Sequence, residues 1–404
     1  MPSESLSTVR QGRPVWQLGE HIPQLDGVRG LAILIVTLYR FSKELPNDTW
    51  AAQALRTGFS MGDRGVDLFF VLSGFLITGI LLDSKGNRHT LAHFLARRSL
   101  RIFPLYFVAL FLFLVAVPSY APYREMFAQA ASHQFFLWTY LTNIKMSLAG
   151  EWCFGYLDHF WSLAVEEHFY LVWPLILLCC SRRTALTLAC LLALGSAVSR
   201  VAFAKLSENG VAPDVLTPFR CDALLIGSIL ALQIRGPQGL HSLKKWTYAV
   251  FPIALTVGVG CALFKLRAYT VSHTLWPLIW ASVLIWLLTA GQQRQLARFF
   301  NLSPLRKLGK YSYAMYVFQS PLIPLTAGVV SVPQLAAWSG SQLWAPVLYL
   351  LLLSALTYAA ALLSWYLLER HCLKLKRWFP TDGHYPAPAQ PTHCGGRALT
   401  PPPP

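Results

Sequence analysis

The sequence predicts an all-α fold, a polytopic integral membrane protein of about ten transmembrane helices with both termini cytoplasmic. Three observations lead there. Of 404 residues, 54% are hydrophobic and 13% charged, and the mean hydropathy is +0.44, too apolar for a water-soluble enzyme of this length. Apolar windows long enough to span a bilayer recur at 28–45, 66–82, 102–118, 161–180, 184–203, 217–234, 246–264, 274–290, 311–330 and 344–368. Charge then orients them. With a cytoplasmic N-terminus, 22 of the 34 Lys and Arg fall in segments on that side, and the loop 331–343 on the other side carries no charge.

The same accounting excludes a nucleic-acid partner. The net charge of +16 is spread over loops that face anionic membrane lipid. The eight cysteines form no C-x-x-C, and Cys179, Cys180, Cys190 and Cys261 fall inside predicted spans, which argues against a disulfide framework. Residues 1–22 read as an N-terminal cytoplasmic segment without a cleavable signal, 23–378 as one membrane domain, and 379–404 as a disordered proline-rich cytoplasmic tail.

The first span, LDGVRGLAILIVTLYRF (25–41), carries Arg29 and Arg40. Eleven residues at about 100° each return to nearly the same face, roughly 16 Å further along. Both side chains either snorkel at membrane boundaries or mark a substrate path. The second span, GVDLFFVLSGFLIT (65–78), has Asp67 near its start, where the helix dipole favours a carboxylate. Its Ser73-Gly74 pair reads as a close-packing device. Next, HFLARRSLRIFPLY (93–106) sets Arg97, Arg98 and Arg101 on one side of the last turn before a span, with Pro104 expected to open the helix there. They are either topogenic or a phosphate grip. His89 and His93 have a metal-ligand spacing but no third ligand nearby.

The stretch 126–148 is aromatic-rich but broken by His133, Asn143 and Lys145, and reads as a short outer-face or re-entrant segment. HFWSLAVEEHFYLVWP (159–174) then begins a span with His159 and Glu166 seven apart on one helical face, and Glu167 about 100° away. Two carboxylates there need partners or a wet cavity. Either one pairs with Arg29, Arg40 or Arg220, or one serves as a general base or orients a histidine base. Arg220 and Asp222 open a later span and suggest an ion pair within the bundle. LGKYSYAMYVFQSPL (308–322) brings three tyrosines and Gln319, which line a polar cavity or bond to other helices.

In this order and at these spacings, LDGVRGLAIL, GVDLFFVLSGFLIT, RRSLRIFPLY, HFWSLAVEEHFYLVWP, FRCDALLIG, LGKYSYAMY and the terminal ER at Glu369-Arg370 resemble the membrane-bound acyltransferase-3 family over about residues 23–378. The resemblance implies an O-acyltransferase of the bacterial plasma membrane, with no permanently bound cofactor. An acyl-CoA, usually acetyl-CoA, would enter from the cytoplasm and donate to a carbohydrate or glycolipid acceptor on the far side. It implies donor binding by Arg98 and Arg101, which match the family's R-x-x-R, with Arg97 and Tyr106 alongside. Arg29 matches the arginine of the family's first helix. One position departs: eleven residues later the family carries a histidine taken as the catalytic base, and this chain carries Arg40. Gln319 stands about where many members have a second histidine. An arginine stays protonated near neutral pH but can stabilise an oxyanion. Either the base has moved, with His159 and Glu166 as candidates and Glu167 next; or Arg40 binds an anion; or the chain is a non-catalytic member. A polytopic transporter is the competing class, though no inverted repeat is evident.

Overall fold

The structure is a computed structural model that describes residues 22–237, 239–263, 269–289 and 295–380. Among these, ten helices of 16 or more residues form the bundle: α1 (Pro23–Ser42), α2 (Gly65–Asp83), α3 (Thr90–Phe111), α4 (Trp161–Cys179), α5 (Arg182–Leu206), α6 (Thr217–Ile234), α7 (Gly239–Leu263), α8 (Tyr269–Thr289), α9 (Ser303–Phe318) and α10 (Ala345–Ser364). No strand occurs among the described residues.

Seven segments are helical, long and apolar enough to cross a membrane: Trp50–Asp83, Thr90–Ala116, Gly155–Cys179, Arg182–Leu206, Ala212–Ile234, Val271–Thr289 and Ala345–Trp378. The remaining long helices are α1, α7 and α9. Asp26, Arg29 and Arg40 lie within α1, while α9 has only 16 residues and carries Arg306, Lys307 and Lys310. Among the described residues, length and composition therefore establish seven candidate spans and do not confirm ten.

Small residues set the two tightest helix pairs. A Cβ on Gly27 or Gly30 would strike the Phe300 or Leu305 carbonyl, and one on Gly309 would strike that of Asp26, so α1 lies directly against α9. Gly74 meets the Leu224 carbonyl and Gly227 that of Val71, which brings α2 equally close to α6. In lipid, such backbone approach replaces the hydrophobic drive between helices.

Two expectations need correction. Pro104 does not open a helix. α3 begins at Thr90 and runs through it, continuing as a π-helical turn to Ala116, so Arg97, Arg98 and Arg101 are interior to one helix. Arg220 and Asp222 are not partners of each other. Arg220 Nη2 lies 2.5 Å from Asp67 Oδ1, and Arg200 Nη2 lies 2.8 Å from Asp222 Oδ2. At neighbouring helical positions they point to different helices, so each finds its own counter-ion. The stretch 126–148 folds as three short helices, Ala128–Ser132, Gln134–Trp138 and Thr142–Ala149.

Candidate active site

Three cavities follow one another through the bundle. At one end, by the turn between α2 and α3, an opening of about 1030 Å³ is lined by Ser84, Asn87, Thr90, His93, Arg97 and Lys376, and by Arg29, Arg98 and Arg101. The last three also line a narrower middle cavity with Ser73, Glu166, Glu167, Tyr170, Ser312, Tyr313 and Tyr316. Tyr316 and Val66 are shared in turn with a third cavity of about 1200 Å³ at the other end. Arg40, Lys43, Asp63, Arg64, Asp158, His159, Asp214, Arg220 and His273 line that one.

Helix α1 places the first two arginines. Its pitch carries Arg29 to the first two cavities and Arg40 to the third, as the eleven-residue spacing required. From α3, Arg98 and Arg101 meet Arg29. None of the three forms an ion pair or hydrogen bond among the described residues; Arg98 lies 5.4 Å from the Tyr170 ring centre. Three guanidiniums with no carboxylate in direct contact among the described residues, though Glu166 and Glu167 line the same cavity, can grip an anion. Arg97 turns outward and donates Nη1 to the Lys376 and Phe379 carbonyls, at 3.2 and 3.0 Å, tying the end of the last helical segment across the opening. Tyr106 is not brought to the arginines. Its hydroxyl donates to the Leu137 carbonyl at 2.7 Å and its ring stacks on Tyr140.

Glu166 does not pair with an arginine. It accepts from Tyr170 at 2.5 Å and from Ser73 at 3.1 Å. Ser73 is thus a polar member of the middle cavity, and only Gly74 serves the close packing expected of both. Glu167 Oε1 is buried without a hydrogen-bond partner among the described residues.

His159 and Glu166 do not share a cavity. His159 lies in a 3₁₀ turn, Gly155–Phe160, ahead of α4, and Glu166 lies about 10 Å further along the axis. Tyr316 and Ser162 sit between them. The Tyr316 hydroxyl donates to the His159 carbonyl at 2.9 Å and lies 2.6 Å from Ser162 Oγ. The His159 ring is 8% exposed. Neither nitrogen makes a hydrogen bond among the described residues, although the carbonyls of Tyr156, Tyr316 and Val317 surround the ring. Arg40 donates Nε and Nη2 to Ser320 Oγ, at 3.0 and 2.7 Å. Gln319 accepts from Thr37 at 3.1 Å.

The far cavity also holds residues that sequence reasoning passed over. Arg64 donates to His273 Nδ1 at 2.6 Å, so His273 presents its Nε2 proton to Asp214 at 2.8 Å. They come from the 3₁₀ turn Gly62–Arg64 ahead of α2, from α8 and from the short helix Ala212–Val215 before α6, and no spacing within one segment announces them.

Comparison with known proteins gives the family and the relatives of the chain. The acyltransferase-3 family model, described as an acyltransferase domain, matches residues 22–366. The peptidoglycan O-acetyltransferase OatA of Listeria monocytogenes is 30% identical over 344 residues, covering 79% of this chain and 52% of the relative. The putative peptidoglycan O-acetyltransferase YrhL of Bacillus subtilis is 31% identical over 342 residues, covering 79% and 51%. The O-acetyltransferase OatA of Staphylococcus aureus is 27% identical over 341 residues, covering 75% and 51%. The chain spans about half the length of these relatives. No solved structure matches it. With a family model matched over most of its length and several apolar helices to hold it in a membrane, the chain belongs to the acyltransferase-3 family.

Proposed function

We propose that this chain is an integral-membrane O-acetyltransferase of the bacterial plasma membrane, moving an acetyl group from cytoplasmic acetyl-CoA to a hydroxyl of a sugar-containing acceptor on the far side. The observation that carries the proposal is the run of cavities, with three arginines that form no ion pair among the described residues at one end and His159, which has no side-chain hydrogen-bond partner among them, at the other. The relatives named as peptidoglycan O-acetyltransferases supply the acceptor class.

Arg29, Arg98 and Arg101 hold the CoA phosphates. The extended pantetheine arm runs through the middle cavity, a path of the same order as the roughly 16 Å between Arg29 and Arg40. The thioester then reaches Tyr316, where the acceptor hydroxyl meets it from the far cavity. His159 takes the hydroxyl proton, and the oxygen attacks the thioester carbonyl. Arg40 stabilises the oxyanion as a fixed donor. The carbon–sulfur bond breaks, and the proton passes from His159 to the CoA thiolate. Arg40 thereby takes an electrostatic role, and the proton transfer that an arginine cannot perform falls to His159. A transporter or a non-catalytic chain is less well supported, since neither role calls for a histidine without a side-chain partner among the described residues beside a tyrosine shared by two cavities.

The test is release of CoA and acetylation of glycan acceptors by the full chain in lipid nanodiscs. His159→Ala should lower kcat by about 10²–10⁴ and leave CoA affinity within twofold. Full turnover in that variant, on an acceptor the natural chain acetylates, overturns the assignment of the base.

A further inference from the structure

Two cations of the far cavity, Arg40 and Lys43, have no direct carboxylate partner among the described residues. Each carboxylate on its wall is engaged. Asp63 lies 3.5 Å from Arg64, Asp214 accepts from His273 at 2.8 Å, and Asp158 accepts from the Phe154 amide at 2.8 Å. Arg64 is committed in return to Asp63 and His273. Arg40 is met only by the neutral hydroxyl of Ser320. Lys43, one turn further along the chain, is exposed and rests Nζ 4.4 Å from the Tyr39 ring centre. Neither cation forms an ion pair among the described residues. Arg220 adds a third. It is 2% exposed and one nitrogen is paired with Asp67, but Nε and Nη1 have no hydrogen-bond partner among the described residues. Its guanidinium lies instead over the faces of Phe70 and Trp161.

An unneutralised cation inside a membrane protein is costly. Arg40 and Lys43 share one wall without a direct carboxylate partner among the described residues, whereas Arg220 is already paired with Asp67, an arrangement suited to an anion that comes and goes. The oxyanion of acyl transfer offsets one charge at most, beside Arg40. We propose that the far cavity selects its acceptor by an anionic group carried on the sugar, a carboxylate or a phosphate, held by Arg40 and Lys43 with Arg220 adding charge to the same wall. The inference rests on the proposed transfer to a sugar acceptor and names the class of that acceptor. Arg40 then has two uses: it binds the anionic acceptor and faces the reacting carbonyl.

The test is binding, not turnover, so that it stands apart from catalysis. Saturation-transfer NMR on the full chain in nanodiscs compares a glucuronic-acid disaccharide, its neutral glucose counterpart and glucose 1-phosphate. The acidic probes should bind about tenfold tighter than the neutral one, and the advantage should shrink at high salt. The tighter of the two acidic probes identifies the group. Lys43→Glu and Arg40→Gln should each bring acidic and neutral probes within about twofold of one another. Lys43 is exposed, so its variant tests the idea without disturbing the core. Equal affinity for acidic and neutral sugars in the natural chain overturns the inference, whether or not the chain transfers acetyl groups. Selective binding without transfer on any acceptor upholds it and counts against the catalytic proposal instead.

Discussion

Arg98 and Arg101 illustrate what a single residue decides. In the proposed donor site each is one interaction partner for a phosphate, and a hydrogen bond to a charged group contributes about 1.5–3 kcal/mol. Replacing either by alanine should therefore weaken CoA binding by about 10–100-fold in a detergent binding isotherm, and lysine should restore only part of it because it lacks the planar fork. An unchanged isotherm for the double alanine variant would leave both as topology signals. Glu166 belongs to the same scale. Its oxygens are taken by Tyr170 and Ser73, so Glu166→Ala leaves two hydroxyls without their acceptor. The expected cost is about 1–3 kcal/mol of stability, read as a lower melting temperature, with Glu166→Gln retaining most of it. Equal melting of both variants would show that the hydroxyls find other partners.

Between elements, two devices hold the bundle. One is the backbone contact at Gly27, Gly30 and Gly309, which fixes α1 against α9 and so fixes where Arg29 and Arg40 come to lie. The other is electrostatic. Arg200 and Asp222 are both fully buried, and Thr274 donates to the same carboxylate at 2.6 Å, so α5, α6 and α8 meet at one point. Arg200→Met would leave Asp222 buried without its counter-ion, at a cost of about 3–5 kcal/mol. Adding Asp222→Leu should recover most of that loss. Thermal unfolding of the two singles and the double measures the coupling; additive losses would show that the ion pair does not join the helices.

For the whole molecule, the order of the cavities sets a direction. The turn between α2 and α3 and the end of the last helical segment lie at the arginine end, whereas the segment before α4 lies at the histidine end. On the positive-inside rule we propose that the arginine end faces the cytoplasm. In sealed inverted vesicles of a cysteine-depleted chain, an impermeant maleimide should label Arg88→Cys and spare Glu151→Cys, since both positions are exposed at opposite ends. Labelling of both, or of Glu151→Cys alone, would reverse the assignment and with it the side on which the donor is taken up.

The sequence by itself determined the helical class, the succession of apolar segments and the candidate residues of α1, α3 and α4. It also determined the chemical limit on Arg40. Those follow from composition, from a 3.6-residue period and from side-chain pKa, all of which are local. The tertiary structure alone decided which cavity each residue serves. Helical spacing put His159 and Glu166 on one face, but a face does not say where along the axis a septum stands, and Tyr316 of α9 stands between them. Ser73 looked like a packing residue until α4 brought Glu166 to it. The Arg64, His273 and Asp214 network joins segments more than fifty residues apart. Such partners are chosen by how helices pack, and packing depends on glycines and ion pairs whose counterparts lie elsewhere in the chain.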